Sequence, residues 1–353
     1  MNLLEYTLRN IQSVRKERET EARERFKEFA IPKGSLGRLE DLATFYTSIR
    51  GTPKEEIKHK VVFVMVGDHG VAEEGVSSFP QEVTCQMVKN FLNGGAAINV
   101  LASHVGARVV VVDCGVARPL DPSTELKSKK IGYGTRNIAN GPAMTTQEAE
   151  RALEVGIEVL EEELERGVEV VATGDMGIAN TTASAAIFVS LTGVRVEEAV
   201  GRGTGVCGDG LSRKAQVVKR AIEVNRPDPN DPLDVLAKIG GYEIGATAGL
   251  CLGAARHHLP ILLDGFISTT GALLACALEP KVKGYLLASH LSAERGHALM
   301  LQKLGLKPVL DLDMRLGEGT GAVLVMPLVE ASVKLLLQMA TFSQAGVSRA
   351  KDM

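Results

Sequence analysis

The feature that most constrains the fold of this chain is a series of short, nearly continuous apolar segments, separated by longer segments of helical periodicity. Apolar runs of strand length with no polar face are typical of strands that helices cover on both sides. We predict such strands at residues 60–66, 107–113, 168–173, 260–263, 284–288 and 308–312. The sequence therefore predicts an α/β fold with a doubly wound, mostly parallel, Rossmann-like sheet.

Helical periodicity fills most of the segments between these strands. The predicted helices are residues 80–93, 145–166, 180–191, 210–225, 245–257, 269–278 and 293–304. Thr145 and Glu148 have the spacing of a capping box, which predicts where the second of these helices begins. The segment 225–232, rich in proline and Asn or Asp, is predicted to be a surface loop.

The two ends of the chain are also predicted to be helical. Residues 1–29 carry an apolar stripe at roughly helical spacing, a short helix follows with Ser35 as its N-cap, and an apolar helix spans residues 320–342. We expect residues 1–50 and 321–353 to form a small helical subdomain. The large α/β domain, with the active site, would then be residues 51–320.

Composition and charge exclude several classes of function. The net charge is −3, aromatic residues make up 4% of the 353 residues and tryptophan is absent, so we expect neither a nucleic-acid nor a membrane partner. The highly charged N-terminal segment does not resemble a signal peptide. Five cysteines without a C-x-x-C pair are typical of buried thiols in a reducing compartment, and we expect a cytoplasmic protein.

Acidic residues or histidines beside glycine follow nearly every predicted strand. In open parallel sheets, ligands bind beyond the carboxyl ends of the strands, so these loops predict a polar site along one edge of the sheet. The loops are residues 67–70, 113–115, 174–177, 264–265, 289–290 and 311–321. The H-E-x-x-H motif and Cys/His clusters are absent, so we predict no metal site, although Asp68-His69 is the best outside candidate.

Two glycine-rich loops are suited to binding phosphate. Residues 174–182 run from a strand end into a helix start, where free N–H groups and the positive end of the helix favour an anion. Residues 201–210 contain G-x-G-x-x-G at Gly203, Gly205 and Gly208. As a dinucleotide fingerprint this motif is weak, because residues 196–199 before it have helical rather than strand character. An anion-binding loop is the better interpretation, and an ordinary flexible loop remains the alternative.

Glu318 is the strongest single candidate for a catalytic residue. It lies between two glycines, after a predicted strand and before an apolar helix. As a general base it would need a partly desolvated pocket to raise its pKa toward the working pH. The alternative, equally supported by the pattern alone, is a carboxylate that stabilises the N-terminus of the last helix.

Seven motifs, taken together and in order, resemble the nicotinate-nucleotide:dimethylbenzimidazole phosphoribosyltransferase family of cobalamin lower-ligand assembly. The resemblance covers almost the whole chain, and it is the combination that is specific. The motifs are PKGSLG (32–37), GDHGV (67–71), FLNGGAAIN (91–99), TGDMGIANTT (173–182), the glycine-rich loop 201–210, LDGFISTTG (263–271) and RLGEGTG (315–321).

The resemblance implies a reaction. Nicotinate mononucleotide donates its phosphoribosyl group to 5,6-dimethylbenzimidazole, and the products are α-ribazole 5′-phosphate and nicotinate, with inversion at ribose C1′. The glutamate that this family uses as general base matches Glu318. The resemblance also implies a homodimer and a reaction that requires neither a cofactor nor a metal ion.

The resemblance implies two groups of substrate-binding residues. Asp175, Gly177, Asn180, Thr181, Gly203, Thr204, Gly205, Lys214, Ser292 and Arg315 would hold the nucleotide and its phosphate. Ser77, Ser78, Phe79 and Gln86 would line the benzimidazole pocket, and which of the two serines faces it is left open. The sequence also leaves open which base is used in the cell: adenine, phenols and other benzimidazoles are alternatives.

Two other functions remain as alternatives. One is an NAD(P)-binding Rossmann dehydrogenase that uses the glycines of residues 203–208. The other is a non-catalytic nucleotide-binding sensor. Glu318 argues against this alternative, because a protein that only binds gains little from a desolvated base beside an anionic ligand.

Overall fold

The computed structural model describes residues 1–203, Gly205 and residues 208–349, and its centre is a parallel sheet. Within these residues, six strands form this sheet in the order β3-β2-β1-β4-β5-β6, and a further pair, β7 and β8, lies apart from it. The strands are β1 (Lys60–Gly67), β2 (Ala107–Gly115), β3 (Leu126–Ser128), β4 (Val170–Met176), β5 (Ile261–Leu263), β6 (Leu286–Ala288), β7 (His290–Leu291) and β8 (Leu310–Asp311). The predicted α/β fold with a mostly parallel sheet is confirmed.

Helices cover both faces of this sheet. They are α1 (Leu3–Asn10), α2 (Lys16–Glu28), α3 (Arg38–Arg50), α4 (Glu82–Leu92), α5 (Ala97–Val105), α6 (Thr146–Leu164), α7 (Asn180–Thr192), α8 (Val196–Ala199), α9 (Asp209–Asn225), α10 (Pro232–Ile239), α11 (Tyr242–Arg256), α12 (Phe266–Leu278), α13 (His297–Leu304), α14 (Thr320–Gln338) and α15 (Phe342–Ala345). Short 3-10 turns lie at Gly70–Glu74 and Pro280–Tyr285. The predicted capping box begins α6: Thr145 and Glu148 each accept a hydrogen bond from the other's backbone N–H.

The central strand β1 shows why these apolar runs form a two-faced core. Every residue of β1 is buried, and alternate side chains point to opposite faces. Phe63 and its alternating neighbours pack into the core beneath α6 and α11, whereas Val64 and its neighbours pack beneath α5 and α14. A continuous apolar strand therefore supplies both cores at once.

The order of the strands places a ligand crevice beside β1. From β1 the chain first builds β2 and β3 on one side of the sheet, and then β4, β5 and β6 on the other. Such a reversal leaves a crevice outside the carboxyl ends of the strands that flank it. The loops after β1 and β4 therefore meet at a place where the fold itself favours binding.

Several predicted elements differ from those observed. Residues 1–29 form two helices rather than one. At the break between them, the side chains of Lys281 and Tyr285 donate hydrogen bonds to the carbonyls of Ile11 and Gln12. The predicted cap Ser35 lies in a turn, and α3 begins only after Gly37.

The strand predicted over residues 308–312 does not join the main sheet. Only Leu310 and Asp311 are extended, and they pair with β7. The sequence also did not predict β3, α5 or α10; the last begins inside the predicted loop, where Asp231 caps a helix that starts with Pro232.

The chain termini meet. Phe26, Phe29, Ala43 and Leu336 form a small apolar cluster, and the Ala30 N–H donates to the Ala340 carbonyl. The division into a large domain and a small helical subdomain stays a prediction.

The last long helix, α14, has the length and composition of a membrane span, but over half of its apolar window is buried, against the sheet and α3.

We expect Gly249→Ala to destabilise the protein, because α6 and α11 approach so closely that a Cβ at Gly249 would overlap the Leu153 carbonyl oxygen. Overpacking of this kind costs about 1–3 kcal/mol in the free energy of unfolding, measured by chemical denaturation. Gly141→Ala is the matched control, since a Cβ there meets nothing within 4 Å. An equal, small effect of both substitutions would contradict the close helix contact.

Candidate active site

A cavity of about 280 Å³ opens at the carboxyl ends of β4 and β5, next to the crevice that the strand order creates. Six segments of the chain contribute to its wall: the segment before α4, the β4–α7 loop, the glycine-rich loop, the start of α12, the β7–α13 segment and the loop before α14. Its lining residues are Phe79, Asp175, Met176, Gly177, Ile178, Asn180, Thr181, Gly203, Gly265, Phe266, Ile267, His290, Ser292, Glu294, Arg315, Leu316 and Gly317.

The structure brings most of the predicted site residues to this cavity. Those in its wall are Phe79, Asp175, Gly177, Asn180, Thr181, Gly203, Ser292 and Arg315. Glu318 and Lys214 lie directly behind the wall, next to Gly317 and Thr181 respectively. Gly205, Ser77, Ser78 and Gln86 do not line it, and Thr204 lies outside the described residues.

The β4–α7 loop presents the N-terminus of a helix to the cavity. Gly177 packs against the carbonyl oxygen of Gly67, where any Cβ would overlap it. Ala179 then adopts a left-handed conformation with a φ of 73°, and α7 begins at Asn180. This sharp turn points the positive end of α7 into the cavity, which favours an anion there.

Lys214 reaches this helix start from α9. Its Nζ donates to Thr181 Oγ1 at 2.7 Å and to the Gly201 carbonyl at 3.2 Å, and its side chain is almost fully buried. Burial lowers the pKa of Lys214 to about 8. The ammonium group is therefore charged at neutral pH, next to Thr181 in the cavity wall.

The glycine-rich loop is held at Gly203 by two side chains. Both carboxylate oxygens of Glu294 accept the Gly203 N–H, at 3.1 and 3.0 Å, and Arg315 donates to the Gly203 carbonyl at 2.9 Å. Sequence analysis missed Glu294, which lies 91 residues from its partner and belongs to no motif. Since Glu294 already occupies the Gly203 N–H, this group contacts a phosphate only if Glu294 moves.

The context of the G-x-G-x-x-G motif is not that of a dinucleotide fingerprint. A helix, α8, precedes the motif instead of a strand, and α9 follows it. A Rossmann fingerprint requires the glycines at the turn between a strand and a helix. The motif therefore gives no support to the dehydrogenase alternative.

Asp264 organises the turn that carries Glu318. Its buried carboxylate accepts the N–H groups of Gly319, Gly321 and Ala322 at 3.0, 2.8 and 3.2 Å, and so caps the start of α14. Burial raises the pKa of Asp264 to about 7 despite these three donors. Sequence analysis recognised Asp264 only as one of several acids at strand ends.

Glu318 lies in a strained backbone conformation and is buried. Its φ is 63°, between Gly317 at 86° and Gly319 at 95°, and only 5% of the residue is exposed. Its N–H donates to the Asp175 carbonyl at 3.2 Å, and its carboxylate accepts the N–H of Ile98, in the first turn of α5, at 3.3 Å. Burial raises the pKa of Glu318 above its ordinary value.

These contacts argue against the alternative role of Glu318 as the stabiliser of the last helix. Asp264 fills that role at α14, whereas the Glu318 carboxylate meets α5 instead. A non-glycine residue at positive φ costs of order 1 kcal/mol or more and persists where the surrounding structure enforces it, often at functional sites.

Asp175 is a second buried acid at the cavity. Its carboxylate accepts hydrogen bonds from Asn180 at 3.0 Å and Ser268 at 3.5 Å. Burial, and then the neighbouring Asp264 carboxylate, raises the pKa of Asp175 to about 8. Asp175 therefore carries a proton at neutral pH and can donate as well as accept a hydrogen bond.

Apolar side chains flank the mouth of the cavity. Phe79 and Leu316 are each more than half exposed and both line it. Gln86 is exposed on α4, which joins the β4–α7 loop through a hydrogen bond from the Ile178 N–H to Thr84 Oγ1 at 3.1 Å. Among the described residues, no group of three or more His, Cys, Asp or Glu side chains is arranged to hold a metal ion.

Comparisons with known proteins agree with this geometry. A family model described as phosphoribosyltransferase matches residues 11–347. Proteins named nicotinate-nucleotide–dimethylbenzimidazole phosphoribosyltransferase are 56% identical in Desulforudis audaxviator and 52% identical in Chloroflexus aggregans, each over the whole of both chains. The crystal structure of CobT from Thermus thermophilus is 49% identical, with a TM-score of 0.91 over 95% of this chain and 100% of that one. The chain therefore belongs to the nicotinate-nucleotide–dimethylbenzimidazole phosphoribosyltransferase family.

Proposed function

We propose that this chain transfers the phosphoribosyl group of nicotinate mononucleotide to 5,6-dimethylbenzimidazole, with inversion at ribose C1′ and with Glu318 as general base. The products are α-ribazole 5′-phosphate and nicotinate. The observation that carries this proposal is the buried Glu318 carboxylate, held by a strained turn directly behind a cavity to which the N-terminus of α7 is also exposed. The names of the close relatives supply the two substrates.

The phosphate of the nucleotide binds at the start of α7. Asn180 and Thr181 present the positive helix end there, and Lys214 adds a positive charge next to Thr181. Arg315 lies in the same wall and holds the glycine-rich loop by the Gly203 carbonyl. Ser292 lines the cavity and contributes a further hydroxyl.

The acceptor base enters between Phe79 and Leu316, whose exposed apolar side chains suit a flat methylated ring. One ring nitrogen forms the new bond to C1′ while the bond from C1′ to the pyridinium nitrogen breaks. The bonding electron pair returns to the pyridinium nitrogen, which becomes neutral without an acid. Attack from the opposite face turns a β-nucleotide into an α-product.

Glu318 takes the proton from the other benzimidazole nitrogen as positive charge develops on the ring. A positioned base of this kind contributes about 10²–10⁴-fold to the rate, and alignment of the two rings contributes comparably or more. Burial, which raises the pKa of Glu318, makes its carboxylate a stronger base. Asp175, neutral at pH 7, adds no repelling charge beside the phosphate.

The proposal extends to the setting of the enzyme. The proposal places it in the cytoplasm, as a homodimer with small-molecule substrates and without a cofactor. The helices at the chain termini, which pack together around Phe26, Phe29 and Leu336, would then form the small subdomain.

We expect Glu318→Gln to lower kcat by about 10²–10⁴-fold and to leave the Kd of nicotinate mononucleotide unchanged, because the amide keeps the shape of the side chain but cannot take the proton. Turnover is measured as α-ribazole 5′-phosphate formed, and binding by calorimetry. Glu148→Gln is the control, since the Glu148 carboxylate also accepts a backbone N–H, that of Thr145, but lies outside the cavity. Full activity of Glu318→Gln would remove Glu318 from the mechanism and favour another base.

We also expect Glu318→Gln to be at least as stable as the parent protein above neutral pH. Because the pKa of Glu318 is raised in the folded state, the parent loses stability as the pH rises through that pKa, and the glutamine variant does not. The free energy of unfolding at several pH values measures this. A lower stability of the variant at every pH would instead support a purely structural role for the carboxylate.

We expect the Kd of nicotinate mononucleotide to rise above pH 8, by up to about tenfold per pH unit, because the pKa of Lys214 is about 8 and only its charged form attracts the phosphate. Lys214→Met should bind nicotinate mononucleotide more weakly at pH 7, and its Kd should rise less steeply with pH. The slope does not vanish, since ionisation of Asp175 near pH 8 also opposes an anion. Equal slopes in both proteins would contradict a role for Lys214 in phosphate binding.

A further inference from the structure

A fully buried ion pair, His69–Glu243, lies at the carboxyl end of β1 and has no part in the proposed chemistry. His69 Nε2 and Glu243 Oε1 are 2.6 Å apart, and neither side chain is more than 1% exposed. Among the described residues, His69 Nδ1 and Glu243 Oε2 have no hydrogen-bond partner. Burying such a pair rarely adds stability over apolar side chains of the same size, so its position needs another explanation.

One end of the pair anchors the acceptor segment, which we define as residues 68–92. The His69 carbonyl accepts a hydrogen bond from the Gln81 side chain at 3.2 Å, and the Gly70 N–H donates to the Thr135 carbonyl at 3.1 Å. The segment continues through Phe79, at the mouth of the cavity, and into α4. The other end of the pair, Glu243, is fixed in the first turn of α11.

Two glycines allow the backbone to close onto the pair. A Cβ at Gly67 would lie 2.7 Å from Glu243 Oε2, and a Cβ at Gly241 would overlap the His69 ring. The carbonyl oxygen of Gly67 in turn packs directly against Gly177 in the β4–α7 loop. The pair, Gly67 and Gly177 therefore form a continuous line of contacts from the acceptor segment to the phosphate side.

A second contact joins the same two segments. The Ile178 N–H, one residue beyond Gly177, donates to Thr84 Oγ1 on α4 at 3.1 Å. The acceptor segment and the β4–α7 loop are thus linked at two places, and both links are buried. These links connect the position of the His69–Glu243 pair to both sides of the cavity.

We propose that the His69–Glu243 pair is a positioning device that fixes the distance between the acceptor segment and the β4–α7 loop, so that the acceptor nitrogen is in line with ribose C1′. The inference rests on the proposed function, whose two substrates occupy these two segments. His69 and Glu243 are positioning residues, since they act through Gly67, Gly177 and the backbone of the acceptor segment. A misplacement of about 1 Å at a reacting centre costs on the order of 10²-fold in rate.

The test is the double variant His69→Leu/Glu243→Leu, which replaces the pair by apolar side chains and leaves no unpaired buried charge. We expect kcat to fall by about 10–100-fold, while the Kd of nicotinate mononucleotide changes less than about threefold. His69→Gln, which can still donate to Glu243, should regain most of the turnover. Glu163→Gln is the control, because Glu163 is also buried and paired, with Arg108 at 3.2 Å, but lies away from the cavity.

Hydrogen–deuterium exchange provides a readout that does not depend on turnover. We expect the double variant to exchange faster in residues 70–81 and 176–181, and at the parent rate in α13. Two results would overturn the inference. One is unchanged turnover together with faster exchange throughout the protein, and the other is faster exchange that is confined to residues 70–81. A parent protein that forms no α-ribazole 5′-phosphate would overturn the proposed function, and the exchange pattern would then decide by itself whether the pair couples the two segments.

Discussion

The structure of the site depends on the three backbone hydrogen bonds that Asp264 accepts from the first turn of α14. Asp264 follows β5, and α14 is the last long helix of the chain, so this contact joins residues 55 to 58 positions apart. It fixes where α14 begins, two residues after Glu318, which has a left-handed backbone conformation.

The same region concentrates buried acidic side chains to an extent that stability alone would not favour. Burial raises the pKa of Asp175, Asp264 and Glu318, which means that folding opposes the ionised form of each. In the proposed reaction each buried acid has a role. The raised pKa makes Glu318 a stronger base and keeps Asp175 neutral beside an anion, while Asp264 holds the turn. The opposite shift at Lys214 keeps its ammonium group charged only up to about pH 8, so that phosphate binding and base catalysis overlap in a limited pH range.

The sequence predicted the parts of the fold that depend on local pattern. The segment of β1 is recognisable as a strand because it is apolar on both faces. Glu318 stood out because it is a carboxylate between two glycines, after a predicted strand and before an apolar helix. It did not predict features that depend on distant partners. Within residues 308–312, Leu310 and Asp311 pair with β7 and not with the main sheet. The break between α1 and α2 coincides with the contacts of Lys281 and Tyr285, and Glu294 is recognisable only from its contact with Gly203.

The central claim is that this chain replaces the nicotinate ring at ribose C1′ with dimethylbenzimidazole by an inverting displacement. The most direct measurement is the anomeric configuration of the product, determined by nuclear magnetic resonance after incubation with nicotinate mononucleotide and dimethylbenzimidazole, together with the amount of nicotinate released. The account predicts the α-anomer and one nicotinate for each molecule of product. A β-anomer would contradict inversion, and free ribose 5-phosphate with no ribazole would contradict transfer to the base.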